Sequence, residues 1–204
     1  YEIGVRLVGS EMCIRDSAEQ FLREMGVNIL LNKRVVDYRD HKVVLEDGTE
    51  IATRTFIWVS GVTGVTIGNL DASLIGRGGR IKVDSFNRVE GMNNVFAIGD
   101  QCIQLADENY PNGHPQLAQV AIQQGELLAK NLVRMEKGRE MKPFHYRNLG
   151  SMATVGRNRA VAEFSKVKMQ GWFAWVMWLV VHLRSILGAV SYTHLRAHET
   201  DSYL

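Results

Sequence analysis

Two short apolar runs, each closed by a glycine beside a polar residue, place the strongest constraint on the fold. Thr55–Val59 (TFIWV) is apolar throughout its centre and ends at Ser60-Gly61, and Asn94–Ile98 (NVFAI) ends at Gly99-Asp100. Runs of this length without polar alternation are typical of strands buried on both faces, which occur in parallel sheets covered by helices. The sequence therefore predicts an α/β protein.

The remaining periodicity predicts further helices and strands around these two runs. A glycine at position 26 follows a helical pattern and predicts the end of a helix. A long apolar stripe after Pro115 predicts a second helix. The predicted helices are Ala18–Gly26 and Gln116–Arg134, and the other predicted strands are Asn28–Leu31, Arg34–Arg39, Lys42–Leu45, Gly79–Val83 and two around Gly156, with a turn at Asp47-Gly48 before Ile51.

Composition excludes several classes of protein. Hydrophobic residues make up 46% of the chain and charged residues 23%, which is typical of a globular protein. Lys and Arg number 24 against 22 Asp and Glu, and a net charge of +2 does not indicate a nucleic-acid-binding protein. Two cysteines, Cys13 and Cys102, cannot supply a disulfide framework or a four-ligand zinc site, so no metal site is predicted.

The two ends of the chain are related through their codons. For every pair of positions whose numbers sum to 206, from Glu2 with Leu204 to Asp16 with Val190, reverse-complementary codons exist, which makes fifteen consecutive pairs. The implied DNA resembles the inverted end of a transposase-based sequencing adapter. We therefore expect residues 1–17 and 189–204 to be adapter-derived tails and 18–188 to be a fragment of a longer protein.

Gly99-Asp100 is a candidate ligand-binding element. A carboxylate after a strand can accept hydrogen bonds from a sugar or ribityl hydroxyl, and a simple turn is the alternative. The following helix, which begins near Pro115, has a positive dipole end suited to an electron-rich ring edge. Gln119 and Gln123 are four residues apart and share a helix face. This face is either a solvated amide surface or a site whose amides hydrogen-bond a ligand carbonyl. His114 is predicted to be a loop residue.

Three segments resemble the type II NADH:quinone oxidoreductases, which are single-subunit NADH dehydrogenases that do not pump protons. They are Val95–Gln101 (VFAIGDQ), Gly113–Gly125 (GHPQLAQVAIQQG) and Leu149–Ala160 (LGSMATVGRNRA). The resemblance implies a Rossmann-like flavoprotein with two dinucleotide-binding domains, in which FAD takes hydride from NADH and passes electrons to a membrane quinone. No GxGxxG motif occurs in the chain, so the fragment alone is expected to be inactive.

The resemblance also implies roles for individual residues. Asp100, with Gly99 before it, matches the acid that contacts the FAD ribityl chain, and Ala118 with Gln119 matches the helix start under the isoalloxazine ring. Quinone-pocket positions match Gln119, Ile122 and Gln123. Gly61, within Trp58–Val62, matches a strand end near nicotinamide and flavin. No catalytic residue is assigned. The implied segments are 18–62 from the NADH-binding domain, 63–140 from the FAD-binding domain and a truncated membrane-facing region at 141–188.

The segment from Met141 to Gly188 is basic and then aromatic. It has seven Lys and Arg residues against the single acidic Glu163, and Trp172–Val181 is uninterrupted apolar sequence. Ten residues are too few to cross a bilayer, so the alternatives are a buried helix and, favoured by its flanking charges, an interfacial amphipathic helix. The residues expected to contact an anionic membrane are Lys166, Lys168, Trp172, Trp175, Trp178 and Arg184.

The expected location is therefore the cytoplasmic face of a bacterial inner membrane, to which the protein attaches peripherally. A homodimer is one possible assembly of the parent protein. Two other functions remain open at this point. Another flavoprotein quinone reductase, such as a sulfide:quinone oxidoreductase, needs a cysteine pair that 18–188 does not contain. A non-catalytic membrane-surface module would bind anionic liposomes without flavin.

Overall fold

The computed structural model describes residues 12–59, 61–65, 67–164, 167–184 and 186. The chain forms two compact units, one within Tyr1–Ser60 and Leu149–Leu204 (unit 1) and one spanning Gly61–Asn148 (unit 2). The elements in chain order are α1 (Met12–Glu24), β1 (Val35–Arg39), β2 (Lys42–Leu45), β3 (Glu50–Ala52), β4 (Ile81–Val83), β5 (Cys102–Gln104), α2 (Ala118–Glu136), β6 (Ser151–Thr154), β7 (Ala160–Phe164), β8 (Val167–Gly171) and α3 (172–184), with short 3-10 turns at Ala72–Leu74, Arg77–Gly79 and Gly99–Gln101.

In unit 1, α1 ends where the sequence predicts. The Gly26 N–H donates to the Arg23 carbonyl at 2.9 Å and the Val27 N–H donates to the Leu22 carbonyl at 3.1 Å, which is the Schellman pattern of a helix end. Gly26 has a φ of 81°, which glycine adopts without strain. The helix begins at Met12, upstream of the expected tail boundary, and the adapter origin of 1–17 stays a prediction.

Unit 1 also contains two antiparallel sheets, ordered β1-β2-β3 and β6-β7-β8. The strands predicted within Arg34–Arg39, Lys42–Leu45 and around Gly156 are confirmed, as is the turn at Asp47-Gly48. Val155 and Val161 pack against α1, and Ala160 and Ala162 pack against Ala174 of α3. Both helices therefore pack against the second sheet.

Unit 2 is built around the parallel pair β4 and β5, with Ile81 opposite Cys102. Its core contains Ile81, Val83, Val89 and Cys102, all at most 4% exposed. The predicted long helix is confirmed as α2. None of the described helices is both long enough and apolar enough to cross a bilayer.

Three predicted strands are wrong. Asn28–Leu31 and Thr55–Val59 contain no strand, and Asn94–Ile98 makes only an isolated bridge between Phe96 and Arg88. Instead of being buried on both faces, Ile57 is 73% exposed. An apolar run becomes a strand only when it pairs with another strand, and none of the strands in the described part of the chain includes residues 55–59.

Candidate functional site

The turn Gly99–Gln101 is fixed against helix α2. Gly99 has a φ of 67°, and its N–H donates to the buried Gln124 Oε1 at 2.7 Å. A Cβ added at Gly99 would lie 3.3 Å from the Cβ of Ala121. Both the backbone conformation and the close approach to the helix therefore favour glycine at this position.

Asp100 is exposed at the centre of this turn. The Asp100 carbonyl accepts a hydrogen bond from Gln116 Nε2 at 3.2 Å, and Gln101 exchanges two hydrogen bonds with the backbone of Val65, at 2.9 and 2.5 Å. No described residue donates a hydrogen bond to the Asp100 carboxylate. The turn is thus rigidly held while its carboxylate remains able to accept hydrogen bonds from a ligand.

Helix α2 begins beside this turn without a side-chain cap. Its N-cap residue is Leu117, which has no oxygen in its side chain, and the first turn contains no acidic residue. The first N–H groups of a helix lack intrahelical acceptors and carry the positive end of the helix dipole. Since Leu117 and Ala118 are both exposed, this helix start can receive an electron-rich ligand edge.

The candidate quinone residues differ in their surroundings. Ile122 is 61% exposed and Gln119 is half-buried one turn earlier. Gln123 Nε2 donates to the Arg147 carbonyl at 2.9 Å, and Gln123 Oε1 accepts from the Arg147 N–H at 3.0 Å. The Arg147 backbone therefore fixes the orientation of the Gln123 amide, which keeps a second N–H that can donate to a ligand carbonyl.

His114 was missed as a functional candidate. Its Nε2 lies 3.0 Å from Asp107 Oδ2, and the two side chains are 1% and 3% exposed. His114 lies in a loop, as the sequence predicts, but its buried carboxylate partner was not predicted. Two successive turns, closed by hydrogen bonds from the Tyr110 N–H to the Asp107 carbonyl and from the Gly113 N–H to the Tyr110 carbonyl, bring residue 107 back to residue 114. The seven-residue spacing within a polar loop was the only available signal.

Burial and hydrogen bonding act in opposite directions on this pair. Burial, the largest single effect, raises the pKa of Asp107. Hydrogen bonds from His114 and from the backbone N–H groups of Asn109 and Tyr146 outweigh it, so the pKa of Asp107 is lowered from its ordinary value. Asp107 is therefore a buried carboxylate that its neighbours keep ionised.

The other candidate residues lie apart from this arrangement. A Cβ added at Gly61 would meet no atom within 4 Å, and nothing described brings this glycine to α2. Cys102 is buried, and burial raises the pKa of its thiol. The described part of the chain contains no group of three or more His, Cys, Asp or Glu residues suited to a metal ion.

In unit 1, helix α3 is apolar on two sides. Trp175 and Trp178 are partly buried against Ala160, Ala162 and Ala174, so only part of each side chain is exposed, and their contact with a membrane stays a prediction. The sequence could not separate these two from Trp172, which is 56% exposed, because all three lie in one apolar run. Arg184 is exposed, Lys168 is exposed with an interaction of its own, and Lys166 lies outside the described residues.

Comparison with known proteins gives several NADH:quinone and NAD(P)H-ubiquinone oxidoreductases among the relatives of this chain. The type II NADH:quinone oxidoreductase NdhA of Mycobacterium tuberculosis is 36% identical over 84% of this chain and 38% of its own length. The internal alternative NAD(P)H-ubiquinone oxidoreductase A1 of Arabidopsis thaliana mitochondria is 33% identical over 85% of this chain and 37% of its own length. The chain thus spans about two-fifths of the length of the curated relatives it matches.

Two solved structures share the fold at low sequence identity. NDH2 of Plasmodium falciparum in complex with NADH has a TM-score of 0.73 at 18% identity and covers 85% of this chain and 51% of that one. The sulfide:quinone oxidoreductase of Aquifex aeolicus has a TM-score of 0.65 at 14% identity and covers 85% of this chain and 44% of that one. Both likenesses confirm the predicted α/β, Rossmann-like fold.

A family model extends these likenesses to a defined part of the chain. The pyridine nucleotide-disulphide oxidoreductase model matches residues 5–125, which is more than half of the 204 residues and includes Gly99, Asp100 and the first turns of α2. The chain therefore belongs to the pyridine nucleotide-disulphide oxidoreductase family.

Proposed function

We propose that the protein carrying this chain is an FAD-dependent NADH:quinone oxidoreductase that passes electrons to a membrane quinone without pumping protons. Its family membership and the named activity of its relatives support this function. The single observation that carries it is the uncapped start of α2 next to a rigid turn with an exposed carboxylate at Asp100. The Asp100 carboxylate can accept a hydrogen bond from a ligand hydroxyl, and the positive end of the α2 dipole lies beside it.

The residues present fit a flavin. Bound FAD supplies a ring that accepts hydride from NADH and releases electrons to a quinone. Asp100 accepts a hydrogen bond from a ribityl hydroxyl, and the N–H groups of Ala118 and Gln119 hold the electron-rich edge of the ring. Gly99 lets the backbone of the turn stay close to α2, which a side chain at that position would prevent.

On the electron-exit side, the quinone contacts Gln119 and Ile122. An uncharged amide can donate a hydrogen bond to a quinone carbonyl without burying a charge in an apolar channel. The exposed Ile122 side chain supplies apolar contact on the same face of α2. Gln123 serves this face through its bonds to Arg147 rather than by direct contact with the quinone. Gly61 lies on the NADH side of the flavin.

FAD retention by the full-length protein tests the assignment of Asp100. We expect Asp100→Ala to lower FAD affinity by about 10- to 100-fold, because a hydrogen bond to a charged group contributes about 1.5–3 kcal/mol. Glu126→Ala is the matched control, since Glu126 is also an exposed carboxylate of unit 2. Titration of the apo-protein with FAD measures both. Equal affinity in the Asp100 variant and the control would remove Asp100 from the cofactor site.

We also propose that α3 attaches the protein peripherally to the cytoplasmic face of a bacterial inner membrane. Trp172, Phe173, Met177 and Val180 are 56%, 71%, 39% and 56% exposed, and Phe173, Met177 and Val180 share one helix face. Such an apolar face with an exposed Arg184 is typical of helices that lie in the headgroup region of an anionic leaflet.

Vesicle sedimentation of the 204-residue chain tests this attachment. Phe173→Ser with Met177→Ser is expected to release the chain from anionic vesicles at physiological salt, because together they remove most of the exposed apolar face. Ile51→Ser, at an exposed apolar position on β3, is the control and is expected to leave sedimentation unchanged. Unchanged sedimentation of the double variant would place the membrane contact elsewhere.

A sulfide:quinone reaction is the less suitable alternative despite the shared fold. That chemistry needs an accessible pair of reactive cysteines, whereas Cys102 is 1% exposed and its thiol is protonated because burial raises its pKa. A purified full-length protein that oxidised sulfide faster than NADH in the presence of quinone would reverse this choice.

A further inference from the structure

An extended segment, residues 142–147 (the strap), lies along helix α2 and is attached to it at both ends. Lys142 donates its N–H to Asn131 Oδ1 at 2.9 Å and accepts from Asn131 Nδ2 at 2.8 Å. Arg147 and Gln123 form the same reciprocal pair at 3.0 and 2.9 Å. The two helix residues are eight positions apart, which corresponds to about 12 Å of helix. Five extended residues reach about 16 Å or more, so the strap spans this distance without being fully stretched.

The middle of the strap is held by backbone donors on one edge. In an extended chain, alternate N–H groups point in the same direction. The Phe144 N–H donates to the Ser85 carbonyl at 2.7 Å. The Tyr146 N–H faces the Asp107 carboxylate closely enough to help lower its pKa. Of the acceptors along this edge, Asp107 is the only charged one, and hydrogen bonds to a charged acceptor are about twice as strong as neutral ones.

The same carboxylate is fixed from the other side by His114. The His114 ring also packs against the rings of the strap, with centroids 5.2 Å from Phe144 and 5.9 Å from Tyr146. Tyr110 closes this aromatic cluster, 5.2 Å from both His114 and Tyr146. The His114–Asp107 pair thus holds the strap through its backbone and through its side chains.

We infer that the buried His114–Asp107 pair is a positioning device that fixes the strap and, through the Arg147 backbone, holds the Gln123 side chain on its face of α2. The inference rests on the proposed function, which assigns this face to the quinone. While the strap is in place, Arg147 engages one N–H and the oxygen of the Gln123 amide and so fixes its orientation beside Gln119 and Ile122, the proposed quinone contacts. Loss of the pair frees the strap, releases the Gln123 amide and alters the shape of this face.

Amide hydrogen exchange in the 204-residue chain tests the positioning directly. Asp107→Ala removes the carboxylate that faces the Tyr146 N–H and the partner that fixes the His114 ring against the strap, so exchange at Tyr146 and Arg147 is expected to accelerate by about 10- to 100-fold. Asp107→Asn keeps an acceptor oxygen and is expected to restore most of the protection. Glu108→Ala, at the exposed neighbouring acid, is expected to leave exchange unchanged. Unchanged exchange in both Asp107 variants would overturn the inference, whether or not the protein reduces quinones.

A double-mutant cycle in the full-length protein tests the effect on the quinone. Asp107→Ala and Gln123→Ala are each expected to raise the KM for quinone by about three- to tenfold while leaving flavin reduction by NADH unchanged. The double variant is expected to be no worse than the larger single effect, because both changes act through Arg147. Additive effects, or an effect of Gln123→Ala without one of Asp107→Ala, would overturn the positioning role.

Failure of the proposed function and failure of the positioning role give different results. If the full-length protein transfers no electrons from NADH to quinone, the proposed function fails and the exchange experiment still decides the positioning role. If Asp107→Ala does not fold, Asp107→Asn carries the exchange test, with an expected acceleration of about threefold at Tyr146 from the loss of charge on the acceptor. No acceleration in that variant would overturn the inference.

Discussion

Replacing Tyr146 by phenylalanine should stabilise the protein, which is unusual for a change in a packed aromatic cluster. The Tyr146 ring is packed against Tyr110 and His114, but its hydroxyl is buried and has no hydrogen-bond partner among the described residues. Burying an unpaired hydroxyl costs about 1–2 kcal/mol, and phenylalanine keeps the ring contacts. At pH 8 we therefore expect Tyr146→Phe to raise the free energy of unfolding by about 1 kcal/mol.

The difference should grow at alkaline pH. Burial, followed by the neighbouring Tyr110, raises the pKa of Tyr146 to about 12 from a reference of 10.0. Between these values the folded state retains a proton that the unfolded state releases, so the parent loses stability as the pH rises. Two pKa units correspond to at most about 2.7 kcal/mol, which partial exposure of the side chain reduces to about 1–2 kcal/mol. The Tyr146→Phe variant has no ionisable hydroxyl at this position, so its free energy of unfolding does not fall in this way as the pH rises.

Urea unfolding at several pH values between 8 and 11.5 measures both effects. The expected result is a variant that is more stable at pH 8 and gains a further 1 kcal/mol or so by pH 11.5. Tyr38→Phe gives the contrasting sign, because the Tyr38 hydroxyl donates to the Thr53 carbonyl at 3.3 Å and its removal loses a bond. A variant less stable than the parent at pH 8 would show that the Tyr146 hydroxyl has a partner, such as a buried water. A difference independent of pH would refute the argument from its pKa.

Three further changes test other parts of the structure. Gly99→Ala should cost about 1–2 kcal/mol in thermal unfolding, because it places a side chain at a φ of 67° and within 3.3 Å of Ala121; an unchanged Tm would mean that the turn lies farther from α2. Gly150→Ala should cost about 3 kcal/mol or more, since its Cβ would lie 2.3 Å from the Glu163 carbonyl oxygen; normal stability would contradict the β6–β7 register. Asp107→Asn should lower the free energy of unfolding above about pH 4, and the difference from the parent should shrink as the pH falls further through the lowered pKa of Asp107. A difference that stays constant down to pH 2 would contradict an ionised Asp107 in the folded state.

The sequence predicted best those elements whose signals are local. The glycine after α1, the turn at Asp47-Gly48 and the apolar stripe of α2 each depend on residues within one or two turns of chain. Such signals indicate both the type of element and where it ends. The backbone conformation at a positive φ or at a helix cap is determined by the residues at that position and its immediate neighbours.

The failures concern properties that depend on partners elsewhere in the chain. Apolar character in 55–59 was sufficient to predict a strand, but a strand also depends on pairing with another one, and none of the described strands includes these residues. In α3 the run of apolar residues gave a helix without saying that Trp175 packs on β-strand alanines while Phe173 faces solvent. Periodicity specifies a face of an element, and only tertiary structure specifies what covers that face.

Gln123 shows how this distinction affects the reading of a site. Its spacing from Gln119 correctly placed both amides on one side of α2, yet equal spacing implied equal roles. The structure separates them, because the strap reaches Gln123 and forms one hydrogen bond with each polar atom of its amide. A substitution at Gln123 therefore acts first on Arg147 and the strap, so a slower quinone reaction in such a variant does not by itself place Gln123 in contact with quinone. Coupling to Asp107 distinguishes the two cases, since a residue that only binds the quinone has no reason to share its effect with a buried carboxylate on another loop.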